Sequence, residues 1–538
     1  MKKTTILLTA LSLIFISCKQ QKKVDLIITN ANIYTVNNNF EKAQSFAVHE
    51  GKFVAIGTNE EIQKKYTSLN TINVEKKALF PGFIDGHCHF YGLGLQQQKV
   101  NLVGTTSYDD VLQRLITFQK EKNTSFITGR GWDQNDWPIK EFPTKEKLDS
   151  IFPNTPVAIN RVDGHAMLVN QKAIDLAGIT INTTISGGEF LKKEGKLTGV
   201  LIDNAMNFVK VPQPNKKEQI QALKDAEKIC FNLGLTTVDD AGLDKQVIEL
   251  IDSLQQTGDL KMRIYAMISN NQKNLDYYLP KGIIKTNKLH VRSVKVYADG
   301  ALGSRGAALK DEYADKKGHF GALVNSYSNL KNLANRIANS EYQMNTHAIG
   351  DSANYIMLKT YNEVLKGKKD RRWRIEHAQV VDLKDFDLFK NVLPSIQPTH
   401  ATSDMYWAEQ RVGEQRIQGA YAYKRLLKQY GKVALGTDFP VEHVNPFYTF
   451  YSAAIRKDLK GYPEKGFQMD NALSRENTLK GMTIWNAFGN FEENEKGSIE
   501  IGKVADFIIL DKDIMKVEGK AIPDTKVVAT YVSGEKVN

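Results

Sequence analysis

The sequence predicts an α/β fold: a (β/α)8 TIM-type barrel, a small β-sandwich domain formed by both termini, and a subdomain inserted after barrel strand 1. Three observations predict it. Eight short apolar runs ending in polar residues alternate with helix-like stretches through the middle of the chain, as in a closed parallel barrel. Both chain ends are rich in short strand-like segments. More than a hundred residues between the first two runs break the alternation, as an insertion would. The 538 residues, 41% hydrophobic and 25% charged, suit a folded chain too long for one ordinary compact domain.

The elements follow in order. Lys2 and Lys3 precede the apolar stretch Ile6 to Ile16, a leader too short to span a bilayer, which takes about 20 residues. Phe15-Ile16-Ser17-Cys18 ends it and resembles a bacterial lipoprotein signal. That resemblance implies a signal peptide over 1–17, lipidation of Cys18, a tether over 18–23, and a lipid-anchored protein of the cell envelope. Residues 24–77 and 497–538 read as one composite β domain, with a hairpin turn at Gly51. Residues 78–496 form the barrel, opened by the run Ala78 to Ile84, which is broken at Pro81-Gly82. The insertion covers about 101–215 and is read as a lid over the barrel mouth. The later runs are Leu235 to Asp240, Met262 to Ile268, Val291 to Asp299, Gln343 to His347, Trp373 to His377, Val392 to Gln397 and Val433 to Asp438.

The formal charge of +11 is scattered among Lys and Glu along helical stretches. This is a solvated surface rather than a nucleic-acid face. Cys88 and Cys230, the cysteines left after Cys18, are too few for a disulfide framework.

Active sites of such barrels lie at the C-terminal strand ends. The first strand leads to His87 and His89, which point to one side of an extended backbone. A lone H-x-H does not establish a metal site. The fourth strand carries Lys295 between valines, where a free cation is costly to bury. The fifth ends at His347, the sixth at His377 and the eighth at Asp438. With ten histidines in the chain, this coincidence at five of eight strand ends points to a metal site. His165 in the insertion and His400 after strand seven are candidates for substrate contact, with Trp132, Asp133 and Arg305 as weaker ones. Asp404 and Arg416 stand behind these.

The pattern is similar to the amidohydrolase superfamily: H-x-H on strand one, lysine on four, histidines on five and six, aspartate on eight. Gly131-Trp132-Asp133, Val162-Asp163-Gly164-His165, Ala298-Asp299-Gly300-Ala301-Leu302-Gly303-Ser304-Arg305 and Leu435-Gly436-Thr437-Asp438 resemble the amidohydrolase-3 branch, which holds the N-substituted formamide deformylase-like enzymes. The resemblance implies two divalent metal ions, zinc being best suited, bridged by a Lys295 carboxylated by carbon dioxide. One ion would take His87, His89, Lys295 and Asp438; the other would take Lys295, His347 and His377. Asp438 and Lys295 would be the catalytic residues in hydrolysis of an amide or N-formyl group of a small molecule by activated water. A deaminase or ester hydrolase on the same scaffold and an envelope-anchored binding or regulatory protein are the alternatives.

Overall fold

The computed structural model describes residues 21–134, 137–161, 166–185, 188–303 and 305–538. The leader, Cys18 and His165 lie outside these residues. Eight parallel strands form the barrel: β1 (Phe83–Cys88), β2 (Leu235–Leu243), β3 (Arg263–Ser269), β4 (Leu289–Tyr297), β5 (Gln343–Ala348), β6 (Arg374–His377), β7 (Leu393–Ile396) and β8 (Ala434–Leu435). Each pairs with the next in chain order. The intervening helices start where the sequence supplies a cap. Asn215 and Glu218 form a capping box on Lys216–Asn232, and Ser326 caps Tyr327–Ala338.

The seam between β8 and β1 is closed by a side chain. Asn486 Nδ2 donates to Ile84 O at 2.6 Å and Leu435 O at 2.8 Å, and its Oδ1 accepts from Leu435 N at 3.1 Å. Beyond it, Asp438 N donates to His87 O at 2.8 Å and His89 N to Phe439 O at 2.7 Å. This approach requires glycine on both sides. A Cβ on Gly86 would sit 2.4 Å from Asn486 Oδ1, and one on Gly436 2.5 Å from His87 N. β8 is therefore much shorter than the run Val433 to Asp438 suggests: its last residues bend into the site instead of continuing a ladder.

One reading is corrected. Ala78 to Ile84 is two strands in two sheets. Ala78–Pro81 lies between Phe507–Leu510 and Asn32–Tyr34 in a six-stranded terminal sheet, and only Phe83 onward enters the barrel. The division falls at Gly82, whose N–H donates to Asp506 O at 2.9 Å. Opposite that sheet lies a four-stranded one that contains the hairpin Ser45–His49 and Lys52–Gly57. Glu50 (φ 48°) and Gly51 (φ 72°) form its left-handed turn. Leu26, Ile28, Phe46 and Phe53 from one sheet meet Leu79, Phe507 and Ile509 from the other.

The insertion carries its own six-stranded sheet. Alternate residues of its strands feed two separate cores, Val157, Ile159 and Leu168 on one face and Ala158, Met167 and Val169 on the other. That is the period of two expected of a strand covered on both sides.

Candidate metal centre

At the C-terminal end of the barrel the structure brings together His87, His89, Lys295, His347, His377 and Asp438, with His400 beside them. His87, His89 and Asp438 offer donor atoms within 4.8 Å of one another, as do His377, His400 and Asp438. The His347 and His377 rings are 4.5 Å apart, and those of His87 and His377 5.1 Å. Lys295, only 1% exposed, places Nζ 2.9 Å from His87 Nε2. It makes no ion pair with Asp299 or Glu376, the carboxylates nearest in pattern.

Those carboxylates do other work. Glu376 Oε2 holds His87 Nδ1 at 2.5 Å, and Ala241 O holds His89 Nδ1 at 3.0 Å. Both contacts fix the imidazole so that Nε2 faces the centre, the outer support usual for a metal-binding histidine. Asp299 accepts from the backbone N–H of Ala308, Ile349 and Gly350, tying the loop after β4 to the end of β5. Asp85 accepts from His87 N at 3.2 Å, Thr437 N at 3.0 Å and Thr437 Oγ1 at 2.7 Å, joining the ends of β1 and β8.

Protonation follows from burial and neighbours. Burial, then the Lys295 charge, lowers His87 below its ordinary value and takes His347 down to about 3. Burial and His347 hold His377 well below its own. The three imidazoles are thus neutral, the form that can ligate a metal. Burial also lowers the Lys295 ammonium, partly opposed by Glu376 and Asp438. Burial alone would raise Asp438, but His400, His89, His87 and His377 outweigh it and keep the carboxyl well below its usual range.

His400 differs from its neighbours. Burial would lower it, yet Asp438 Oδ2 at 3.4 Å and Glu442 Oε1 at 3.1 Å push it up to about 10. It shares the donor cluster and links Asp438 to Glu442 through its two ring nitrogens.

Several buried atoms in this cluster have no hydrogen-bond partner among the described residues: His347 Nε2, His377 Nδ1 and Asp438 Oδ1. Asp438 Oδ1 stands 3.2 Å from His89 Nε2 without hydrogen-bond geometry. Orphaned buried polar atoms are rare and costly, about 1–3 kcal/mol each. The nitrogen and oxygen donors that His87, His89 and Asp438 bring within 4.8 Å of one another fit a divalent cation. His377 (φ 72°), Ala378 (φ 43°) and Asp438 (φ 63°) also hold the left-handed backbone that non-glycine residues avoid. Such strain persists where the surroundings over-determine the backbone, often at functional sites.

Other candidates fall elsewhere. Trp132 is a correction: it is fully buried in one core of the insertion, and its Nε1 donates to Ile159 O at 2.9 Å. Large apolar area wins over exposure there. Asp133 pairs with Arg161 Nη2 at 2.5 Å. Arg305 grips Asp315 through Nε at 3.0 Å and Nη2 at 2.8 Å, a loop-fixing fork. Arg416 ties the carbonyls of Asp311 and Glu312, and Asp404 accepts from Tyr421 and Gln379.

Sequence reasoning gave no site role to Tyr297, which is 41% exposed, with its ring 5.5 Å from the His347 ring and 5.0 Å from Lys295 Nζ. Its position two residues after Lys295, hence on the same side of β4, was the available signal. Asp85, Glu376 and Glu442 were missed as supports. Glu376 could have been found as an acid inside a fully buried strand.

A cleft of about 1160 Å3 lies between the insertion and the helix Phe90–Gln96 that follows His89. Gly92, Pro440, Met167, Phe118 and Arg130 line it. In the chain, Gly92 follows His89 by three residues and Pro440 follows Asp438 by two.

A family model described as "Amidohydrolase family" matches residues 70–538. "Protein LONG AFTER FAR-RED 3" of Arabidopsis thaliana is 32% identical, over 95% of this chain and 91% of its own length. "Putative amidohydrolase YtcJ" of Bacillus subtilis is 29% identical, over 94% and 98%. "N-substituted formamide deformylase" of Arthrobacter pascens is 24% identical, over 95% and 97%. The crystal structure of an uncharacterized metal-dependent hydrolase from Pyrococcus horikoshii superposes with a TM-score of 0.77 at 27% identity, covering 92% of this chain and 99% of that one.

Proposed function

The chain belongs to the amidohydrolase family, and we propose that it opens a non-peptide C–N bond, an amide or N-formyl group, of a small molecule. The observation that carries this reading is the gathering of His87, His89, Lys295, His347, His377 and Asp438 at one end of the barrel, where His87, His89 and Asp438 bring donor atoms within 4.8 Å of one another. Relatives named as a putative amidohydrolase and an N-substituted formamide deformylase support the bond class.

His87, His89, Lys295 and Asp438 would hold one divalent ion and Lys295, His347 and His377 a second, with zinc suited to this donor set. When bound, such metals polarise a carbonyl and bring the pKa of water down to about 7. The protein's residues do the rest. Asp438, with Oδ2 braced by His400, would take the proton of the attacking water and pass it to the leaving nitrogen. Lys295, buried and without a carboxylate partner, is held toward the neutral amine. Attack of that amine on carbon dioxide forms an N–C bond and releases one proton, giving an anion where a cation was costly. The cleft beside Gly92 and Pro440 would admit the substrate.

Metal analysis of the purified protein, joined to a screen of N-formyl and N-acyl amines, amino-acid amides and cyclic amides, tests this. Stoichiometric metal and turnover of one class are expected. No bound metal and no activation by added zinc or manganese would sink the reading. We further assign the leader to a lipoprotein signal, with Cys18 carrying the lipid and the cell envelope as its location. Cys18→Ala should release the protein from membranes, and unchanged fractionation would refute the anchor.

A further inference from the structure

A second cavity, of about 740 Å3, opens where the chain enters β6, β7 and β8. The loop 366–370, between the helix Asp351–Val364 and β6, forms its rim with Lys390 and Lys432. Arg371 and Arg372 precede β6, whereas His377 ends it. The cavity therefore lies at the opposite end of the barrel from the metal centre, roughly 13 Å of extended chain away.

Seven of its lining side chains are cationic and one, Asp370, is acidic. The two arginines are engaged already. Arg371 donates to Ser340 O at 2.6 Å and Tyr342 O at 2.9 Å, and Arg372 pairs with Asp370 and Glu493. The lysines are not. Among the described residues, Lys366, Lys368 and Lys369 have no ion-pair or side-chain hydrogen-bond partner. Lys432 only lies 4.7 Å over the Phe488 ring, and Lys390 comes no nearer than 4.0 Å to an acid, Asp387. Lys310, by contrast, pairs with Asp382 and Asp385. Like charges gathered without counter-charge repel, so this cavity is a standing positive potential.

The rim is also built. Asp370 (φ 49°) and Arg372 (φ 47°) hold left-handed backbone without being glycine, fixed by the Arg371 and Arg372 contacts. Tyr430 and Phe488 supply a firm wall. The volume is that of a small-molecule site.

We propose that this cavity is an anion site for a ligand carrying two or more phosphate groups, separate from the hydrolytic centre. A carboxylate is best gripped by an arginine fork, and both forks are occupied. Free lysines act as point charges suited to dispersed phosphate charge, from a soluble polyphosphate or from packed anionic lipid headgroups. The full chain with Cys18→Ala, which cannot carry the lipid, is titrated with inorganic tripolyphosphate by calorimetry. It is also floated with phosphatidylcholine vesicles with and without phosphatidylglycerol.

Binding at low salt is expected, weakening as salt rises and falling about tenfold or more in K366E/K368E/K369E. The reversal K516E/K520E/K526E, with the same change in net charge, should bind as the parent does. Tripolyphosphate binding assigns the site to free polyphosphates; vesicle retention alone, lost in the first variant, assigns it to headgroups. No binding of either probe, or equal loss in both variants, overturns the proposal.

Discussion

Two buried clusters, one at each end of the barrel, handle charge in different ways. At the base, Arg263 opens β3 and meets Asp506 of the terminal sheets through Nε at 2.6 Å and Nη2 at 3.1 Å, both side chains nearly fully buried. Ser533 Oγ and Asn287 O accept its remaining donors, and Ser533 N donates to Asp506. At the mouth, His347, His377 and Asp438 leave buried donor atoms bare. The buried Arg263–Asp506 pair satisfies its charges internally and so joins two domains. The mouth leaves its donors unpaired and holds them on strained backbone, which is the arrangement that reserves them for a ligand. Stability and chemistry are thus kept at opposite ends of the same strands, as is usual for this barrel.

The comparison breaks most visibly at Asp438. Asp438→Asn removes the proton acceptor and should lower turnover by about 10²–10⁴-fold with little change in the unfolding midpoint. A variant that kept wild-type turnover would mean the mouth is not the reaction centre. The base should respond in the opposite sense. Asp506→Ala strands a buried guanidinium and should cost about 3–5 kcal/mol of stability, read by denaturant unfolding, while bound metal per folded molecule is unchanged.

A pH series separates the ends further. Burial raises Glu492 at the base, but Lys496 and His290 outweigh it and hold its carboxyl at about 2. Its ionised form therefore stabilises the fold above the ordinary carboxylate value, and that contribution is lost as pH falls from about 4.5 toward 2. Glu492→Gln should flatten the acid limb of the stability curve by roughly 3 kcal/mol; a parallel curve would mean the cluster is not coupled to folding. The smallest effect is the most local. Glu376→Gln weakens the anchor on His87 and should lower metal affinity about 10–100-fold by competition with a chelator, with the barrel intact.

Much of this was legible in the chain. Period and run length marked the eight strands, and His87, His89, Lys295, His347, His377 and Asp438 stood at or near the ends of theirs because side-chain direction is local to a strand. The composite terminal sheets showed as paired strand-rich ends. Trp132 was misread because its bulk and its polar neighbours look alike in a lid or a core; only the second core of the insertion decides between them. Ala78 to Ile84 was misread because the pairing partner of Ala78–Pro81 lies some 430 residues away, in Phe507–Leu510.

The sequence by itself determined which polar residues would stand at or near which strand ends, since alternation and turn chemistry act over a few neighbours. Only the tertiary structure decided what each does with its other atoms. It placed Glu376 behind His87, set His400 between Asp438 and Glu442, and closed the seam through Asn486. It also gathered unpaired lysines from three separate loops at the base. Those outcomes depend on charge and burial among residues far apart in the chain, which no local pattern encodes.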